Sequence, residues 1–291
     1  MNTTTTQIYT TQLHTTTQPI LPLPAEPGVQ PLFAFDVVAR SQATGLEPEN
    51  TVWAIQRAID MGCNGFAAPV RLSADGVPVL MQDALVDRTT DGQGAVADLS
   101  LAALRRLDAG MGERIPTLDE VLDLTRGHLR LFLEFHEMAA AAVAVDWIRR
   151  RRLTDQVTLV STRSDILSML DSLKLHVSLE YRVSDATPEA LYRALLDRAE
   201  RISCPAERLS PSFVSHVHDA GMRVGVWGDT LDAIAHGVMM GADYLITGRV
   251  DRALAFADLM RALPYPPTKT LGTWQTLGVT SESYMPELYA L

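Results

Sequence analysis

The sequence predicts an α/β protein that closes into a (β/α)₈ barrel, with a small insertion after the second strand. Two observations predict it. From Leu32 onward, short apolar runs rich in Val, Ile, Leu and Phe alternate with amphipathic helical patterns, the signature of βα units around a parallel sheet. Eight strand candidates and eight helix candidates can be counted in a chain of 291 residues, and such a barrel uses roughly 250 of them.

In chain order the strands are expected at Phe33–Arg40, Gly65–Leu72, Arg130–His136, Gln156–Thr162, Leu175–Arg182, Arg201–Cys204, Arg223–Trp227 and Tyr244–Thr247. The helices are expected at Glu49–Met61, Leu118–Thr125, Ala139–Arg152, Ser164–Leu173, Pro188–Ala199, Pro211–Ala220, Leu231–Met240 and Asp251–Leu263. One stretch breaks the alternation: Val77–Gly112 carries a strand-like Val77–Met81, a turn-rich Asp87–Gly94 and a helical Leu101–Leu107, and is expected to sit at the barrel mouth.

The domain organisation follows. Residues 1–31 form a Thr/Gln-rich and then proline-punctuated arm without helical or strand periodicity. Residues 32–263 form the barrel, with its insertion at about 77–112, and residues 264–291 form a tail carrying Tyr265, Trp274, Tyr284 and Tyr289. Arm and tail are expected to support a homo-oligomer.

A net charge of −10 disfavours nucleic acid, since phosphate backbones reward clustered Lys and Arg. The one basic run, Arg149–Arg152, ends a helix and complements its dipole. Cys63 and Cys204 lie far apart without a CxxC partner, so they are expected as small core side chains, without disulfide or zinc. No apolar run is long enough for a membrane span, and the amino terminus lacks the pattern of a secretion signal, so a cytoplasmic location is expected.

Several segments, in order, resemble the signature stretches of the glycerophosphodiester phosphodiesterases: Gly45–Thr51 (GLEPENT), Arg71–Leu80 (RLSADGVPVL), Asp87–Gly92 (DRTTDG), Arg114–Val121 (RIPTLDEV), His218–Gly221, and Gly241–Asp243. The likeness runs from about Phe33 to Met260. It implies a TIM barrel of the phospholipase-C-like phosphodiesterase type. It also implies two histidines acting as general acid and base, with a divalent cation held by a Glu-x-Asp pair on the second strand and a Glu on the third.

At those positions this chain departs from the pattern. Where the resemblance places the first histidine stands Arg40, a guanidinium that does not lose its proton under biological conditions. Ala67 and Pro69 stand at the Glu-x-Asp positions, and Gln82 precedes Asp83 where the second histidine belongs. The third-strand carboxylate remains as Glu134, with His136 two residues on. One carboxylate without companions is a poor site for Mg²⁺ or Ca²⁺, so neither metal nor cofactor is expected.

Two readings stay open. In one the barrel is a ligand-binding or structural pseudoenzyme, its old site plugged by an Arg40–Glu134 salt bridge. In the other it is a metal-independent cyclase, isomerase or lyase, with Arg40, Glu134, His136 and Asp83 as catalytic groups. Residual phosphodiester hydrolysis is a third alternative. Ligand-binding candidates at the strand ends are Gln82, Glu180 and Trp227, and the expected partner is a small anionic or carbonyl-containing ligand. Glu180 and Tyr181 alternate, so at most one faces the bore, and Glu180 is favoured. His216 and His218 are expected at the surface.

Overall fold

The computed structural model describes residues 35–262; the arm and the tail lie outside the described residues. Eight parallel strands form the barrel: β1 (Asp36–Arg40), β2 (Gly65–Leu72), β4 (Arg130–Glu134), β5 (Val157–Ser161), β6 (Ser178–Arg182), β7 (Arg201–Pro205), β8 (Arg223–Trp227) and β9 (Tyr244–Thr247). β1 pairs with β9 on one side and β2 on the other, which closes the ring. A ninth strand, β3 (Pro78–Leu80), pairs antiparallel with the far end of β2.

The helices are α1 (Val52–Asp60), α2 (Leu101–Leu104), α3 (Leu118–Thr125), α4 (Met138–Arg151), α5 (Ser164–Ser172), α6 (Pro188–Leu196), α7 (Pro211–Asp219), α8 (Leu231–Met240) and α9 (Val250–Ala262). Among the described residues, no helix is long and apolar enough to cross a membrane. The insertion folds around its own small core of Val79, Met81, Val86, Val96, Leu104, Ala109 and Ile115.

Where element ends differ from expectation, local backbone explains most of it. The strand expected from Leu175 begins only at Ser178, because Lys174 and His176 hold positive φ values of 51° and 53°, incompatible with a strand. The first helix starts at Val52, since Asn50 is left-handed at φ 58° and Thr51 caps the first turn by accepting from the Ala54 N–H. β4 ends at Glu134 short of His136, and α2 ends at Leu104 short of Leu107. Arg149, Arg150 and Arg151 occupy the last turn of α4, where positive charge complements the carbonyl end of the helix.

Six helices begin at a Ser or Thr side chain that accepts from the first turn in the same way: α1, α2, α3, α6, α7 and α8. At α3 the bond is reciprocal. The Thr117 hydroxyl accepts from the Glu120 N–H at 3.2 Å, while the Glu120 carboxylate accepts from the Thr117 N–H at 2.8 Å. Thr117→Ala is expected to lower stability by about 1 kcal/mol, read as a shifted urea midpoint at unchanged slope.

Two apolar layers result. The larger lies between the strands and the surrounding helices, and holds both cysteines, whose burial pushes each thiol up to about 12. The smaller fills the bore with Val38, Ala67, Phe132, Val160, Tyr244 and Ile246, and Trp227 packs on it. The rings of Phe132 and Tyr244 lie 5.7 Å apart, so the bore is solid, and room within the barrel opens above it.

Candidate ligand pocket at the barrel mouth

Strand alternation decides which side chains rise from this plug. Glu134 follows Phe132 on the inward face of β4, and Trp227 follows Gly225 on β8. On β6 both Glu180 and Arg182 face inward, while Tyr181 packs outward against the helices. Above the plug lies a cavity of about 410 Å³, lined by residues including Arg40, Gln42, Gln82, Glu134, Arg182, Trp227 and Asp229. Another hollow, about 590 Å³, runs along α8 and is mainly apolar; the polar groups converge at the mouth.

The expected Arg40–Glu134 bridge does not form. Arg40 instead donates from Nη2 to Asp229 Oδ2 at 2.8 Å. The strand order gives the reason: β9 pairs with both β1 and β8, so the loop after β8 reaches Arg40 over a single strand. Asp229 is held for this role by the Gly248 N–H at 2.7 Å and the Thr247 hydroxyl at 3.1 Å, both donating to Oδ1. Ser41, at φ 60°, reverses the chain immediately after β1 and turns Gln42 toward the mouth.

Glu134 is claimed by Arg182, whose Nη1 donates to Oε2. The same guanidinium reaches Glu180 Oε1 at 3.4 Å. Beneath it Glu180, with no exposed surface, accepts from the Ser203 hydroxyl at 2.6 Å and from the Tyr244 hydroxyl at 2.9 Å. Burial alone would lower the Arg182 guanidinium, but the charges of Glu134 and Glu180 outweigh it, so its pKa is raised. Burial, seconded by the Glu180 charge, holds the Tyr244 phenol well above its ordinary value.

Other expected site residues take different places. Glu180 lies below the cavity as a structural acceptor and does not line it. Asp83 also stands off the cavity, 2.5 Å from Arg88 Nε, and that arginine holds Glu49 with two parallel bonds of 2.9 Å. His136 is not a lining residue either; its Nε2 lies 3.4 Å from Glu134 Oε1. Gln82 and Trp227 do line the mouth, and the Trp227 Nε1–H is buried without an acceptor. His216 and His218 are exposed, with His218 bonded to Asp243 at 2.9 Å. Arg182 and Asp229 were missed. Arg182 follows from Glu180 by alternation, whereas Asp229 stands out in sequence only as a departure, with Gly228, from the family's polar pair after Trp227, with nothing to name Arg40 as its partner.

These donors do not fit a hard divalent cation. Among the described residues, no three His, Cys, Asp or Glu side chains converge as metal ligands. In register with Glu134 on β2 stands Pro69, and two residues earlier Ala67 stands beside Phe132, so neither neighbour offers an oxygen side chain.

Fold and site together define a phosphodiesterase-type barrel with a polar pocket at the carboxyl ends of its strands. The chain belongs to the glycerophosphoryl diester phosphodiesterase family, whose model matches residues 43–252. A glycerophosphodiester phosphodiesterase of Caldanaerobacter subterraneus is 46% identical over 84 residues, covering 26% of this chain and 35% of the relative. Glycerophosphodiester phosphodiesterase 1 of Mus musculus is 36% identical over 138 residues, 42% of each chain. The chain thus spans about two-fifths or less of the length of these curated relatives. Among solved structures, an Oleispira antarctica phosphodiesterase in complex with the product sn-glycerol-3-phosphate superposes with a TM-score of 0.72 at 24% identity, covering 77% of this chain and 96% of that one. The Thermotoga maritima glycerophosphodiester phosphodiesterase gives 0.66 at 23% identity, covering 77% and 98%.

Proposed function

We propose that this member of the family does not carry out metal-dependent phosphodiester cleavage and instead binds a small polar ligand in its mouth pocket without a divalent ion. One observation carries the reading: Glu134, the carboxylate that the resemblance assigns to the metal, is neutralised by Arg182 and faces Pro69 where a second acidic ligand would stand. Arg40 and Gln82, at the two histidine positions, cannot exchange a proton with an ester oxygen.

The open cavity supports ligand binding over a purely structural barrel, because the arginines are paired around the opening and leave it unplugged. A metal-free lyase, isomerase or cyclase using Arg40, Glu134, His136 and Asp83 finds less support. Glu134 is already engaged by Arg182, while His136 and Asp83 lie outside the cavity lining.

The test is calorimetry with Mg²⁺ and Ca²⁺ on the full chain, alongside a hydrolysis assay on glycerophosphocholine. The expected result is no stoichiometric metal binding and no product release with or without metal. A one-to-one isotherm for either ion, accompanied by turnover, would overturn the reading.

A further inference from the structure

The pocket's charges and its unused donors say what kind of ligand it suits. Three arginines line it, and none is left without a counter-charge. Arg40 is matched by Asp229, Arg88 by Glu49 and Asp83, and Arg182 by Glu134 and Glu180. Three guanidinium groups therefore meet three carboxylates in the lining, Asp229, Glu49 and Glu134, with Asp83 and Glu180 behind them, and the mouth carries no surplus positive charge to hold an anion. A phosphate dianion would have to displace a carboxylate from its arginine or sit beside it, and like charges brought together in a recessed site are strongly unfavourable.

The unused hydrogen-bonding capacity is different in kind. The Trp227 Nε1–H is buried and has no partner, and an indole nitrogen can only donate. Among the described residues, the side-chain amides of Gln42 and Gln82 make no hydrogen bond, and Arg40 uses a single N–H on Asp229. A buried donor left without an acceptor is costly, so its natural complement is an oxygen that accepts without bringing charge. A cavity of about 410 Å³ has the size of a small-molecule site.

We infer that the mouth pocket selects an uncharged ligand that presents a carbonyl or ester oxygen to Trp227 Nε1 and Arg40, and that it discriminates against phosphate monoesters. This deepens the metal-free binding reading above and rests on it.

The test compares two probes with the same glycerol body, glycerol monoacetate and sn-glycerol 3-phosphate, titrated into the full chain by saturation-transfer NMR in EDTA and again in Mg²⁺. The monoacetate is expected to bind at least about tenfold more tightly, equally in both buffers. Trp227→Phe should weaken it about tenfold, the loss of one well-placed hydrogen bond. Asp229→Asn keeps an Oδ1 acceptor for the Gly248 N–H but removes the charge opposing Arg40, and should improve binding of the phosphate several-fold. Should either variant fail to fold, Gln82→Leu and Glu49→Gln ask the same two questions. Equal or tighter binding of the phosphate in EDTA overturns the inference alone, as does an unchanged monoacetate affinity when the donor is removed. Phosphate binding that appears only with Mg²⁺, or no binding of either probe, overturns the metal-free reading beneath it.

Discussion

Replacing Gly225 by alanine is expected to abolish stable folding. Gly225 lies on the inward face of β8, and a β-carbon built there would stand 2.1, 2.2 and 2.7 Å from three ring atoms of Tyr244. The ring has nowhere to go. It is fully buried, packs on Phe132, has the guanidinium groups of Arg201 and Arg223 over its faces at 5.5 and 5.8 Å, and is anchored through its hydroxyl to Glu180. Overpacking in a core costs about 1–3 kcal/mol where neighbours can relax, and here they are tied on every side, so a loss above that range is expected. The measurement is the urea midpoint by circular dichroism, or the soluble yield if the chain does not fold. A Gly225→Ala protein as stable as the parent would show that the plug of the bore is far softer than its bonds indicate.

Arg182→Met should cost about 3–5 kcal/mol, because it keeps most of the side-chain volume but leaves two carboxylates without their cation. Glu180 has no exposed surface and cannot turn to water for compensation, and Glu134, at the floor of the cavity, has little. The sign of the pH response follows. A buried carboxylate without a counter-charge takes up a proton more readily folded than unfolded, so its folded pKa lies above the unfolded one; stability is retained at low pH and lost as pH rises. The deficit of Arg182→Met against the parent should therefore shrink in acid. Adding Glu134→Gln and Glu180→Gln should recover part of it at neutral pH. A variant whose deficit is the same at every pH, and which is not helped by the amides, would remove the buried ion network as its cause.

Much of the barrel was legible because its signals are local. Gly65–Leu72, Arg223–Trp227, Tyr244–Thr247, Leu118–Thr125 and Leu231–Met240 have the same ends in sequence and structure, since each is bounded by a turn or by a capping residue close in the chain. Alternation also placed Glu180 on the inner face ahead of Tyr181. The partners at the mouth were not legible. Arg40 finds Asp229 across 189 residues and Glu134 finds Arg182 across 48, and which carboxylate meets which guanidinium depends on strand neighbours and loop geometry that no short spacing encodes. The expected Arg40–Glu134 bridge failed for that reason: both residues sit at strand ends, but each has an opposite charge in easier reach.

The tyrosine and phenylalanine that fill the centre of the barrel also bear on the traffic of the proposed ligand. With Tyr244 wholly enclosed and Phe132 3% exposed, the barrel formed by the described residues is a cup whose bore gives no passage from the mouth to its other end. On the proposed ligand-binding reading, arrival and departure share the mouth, so an occupant leaves before its successor enters, and anything that settles across the rim stops both.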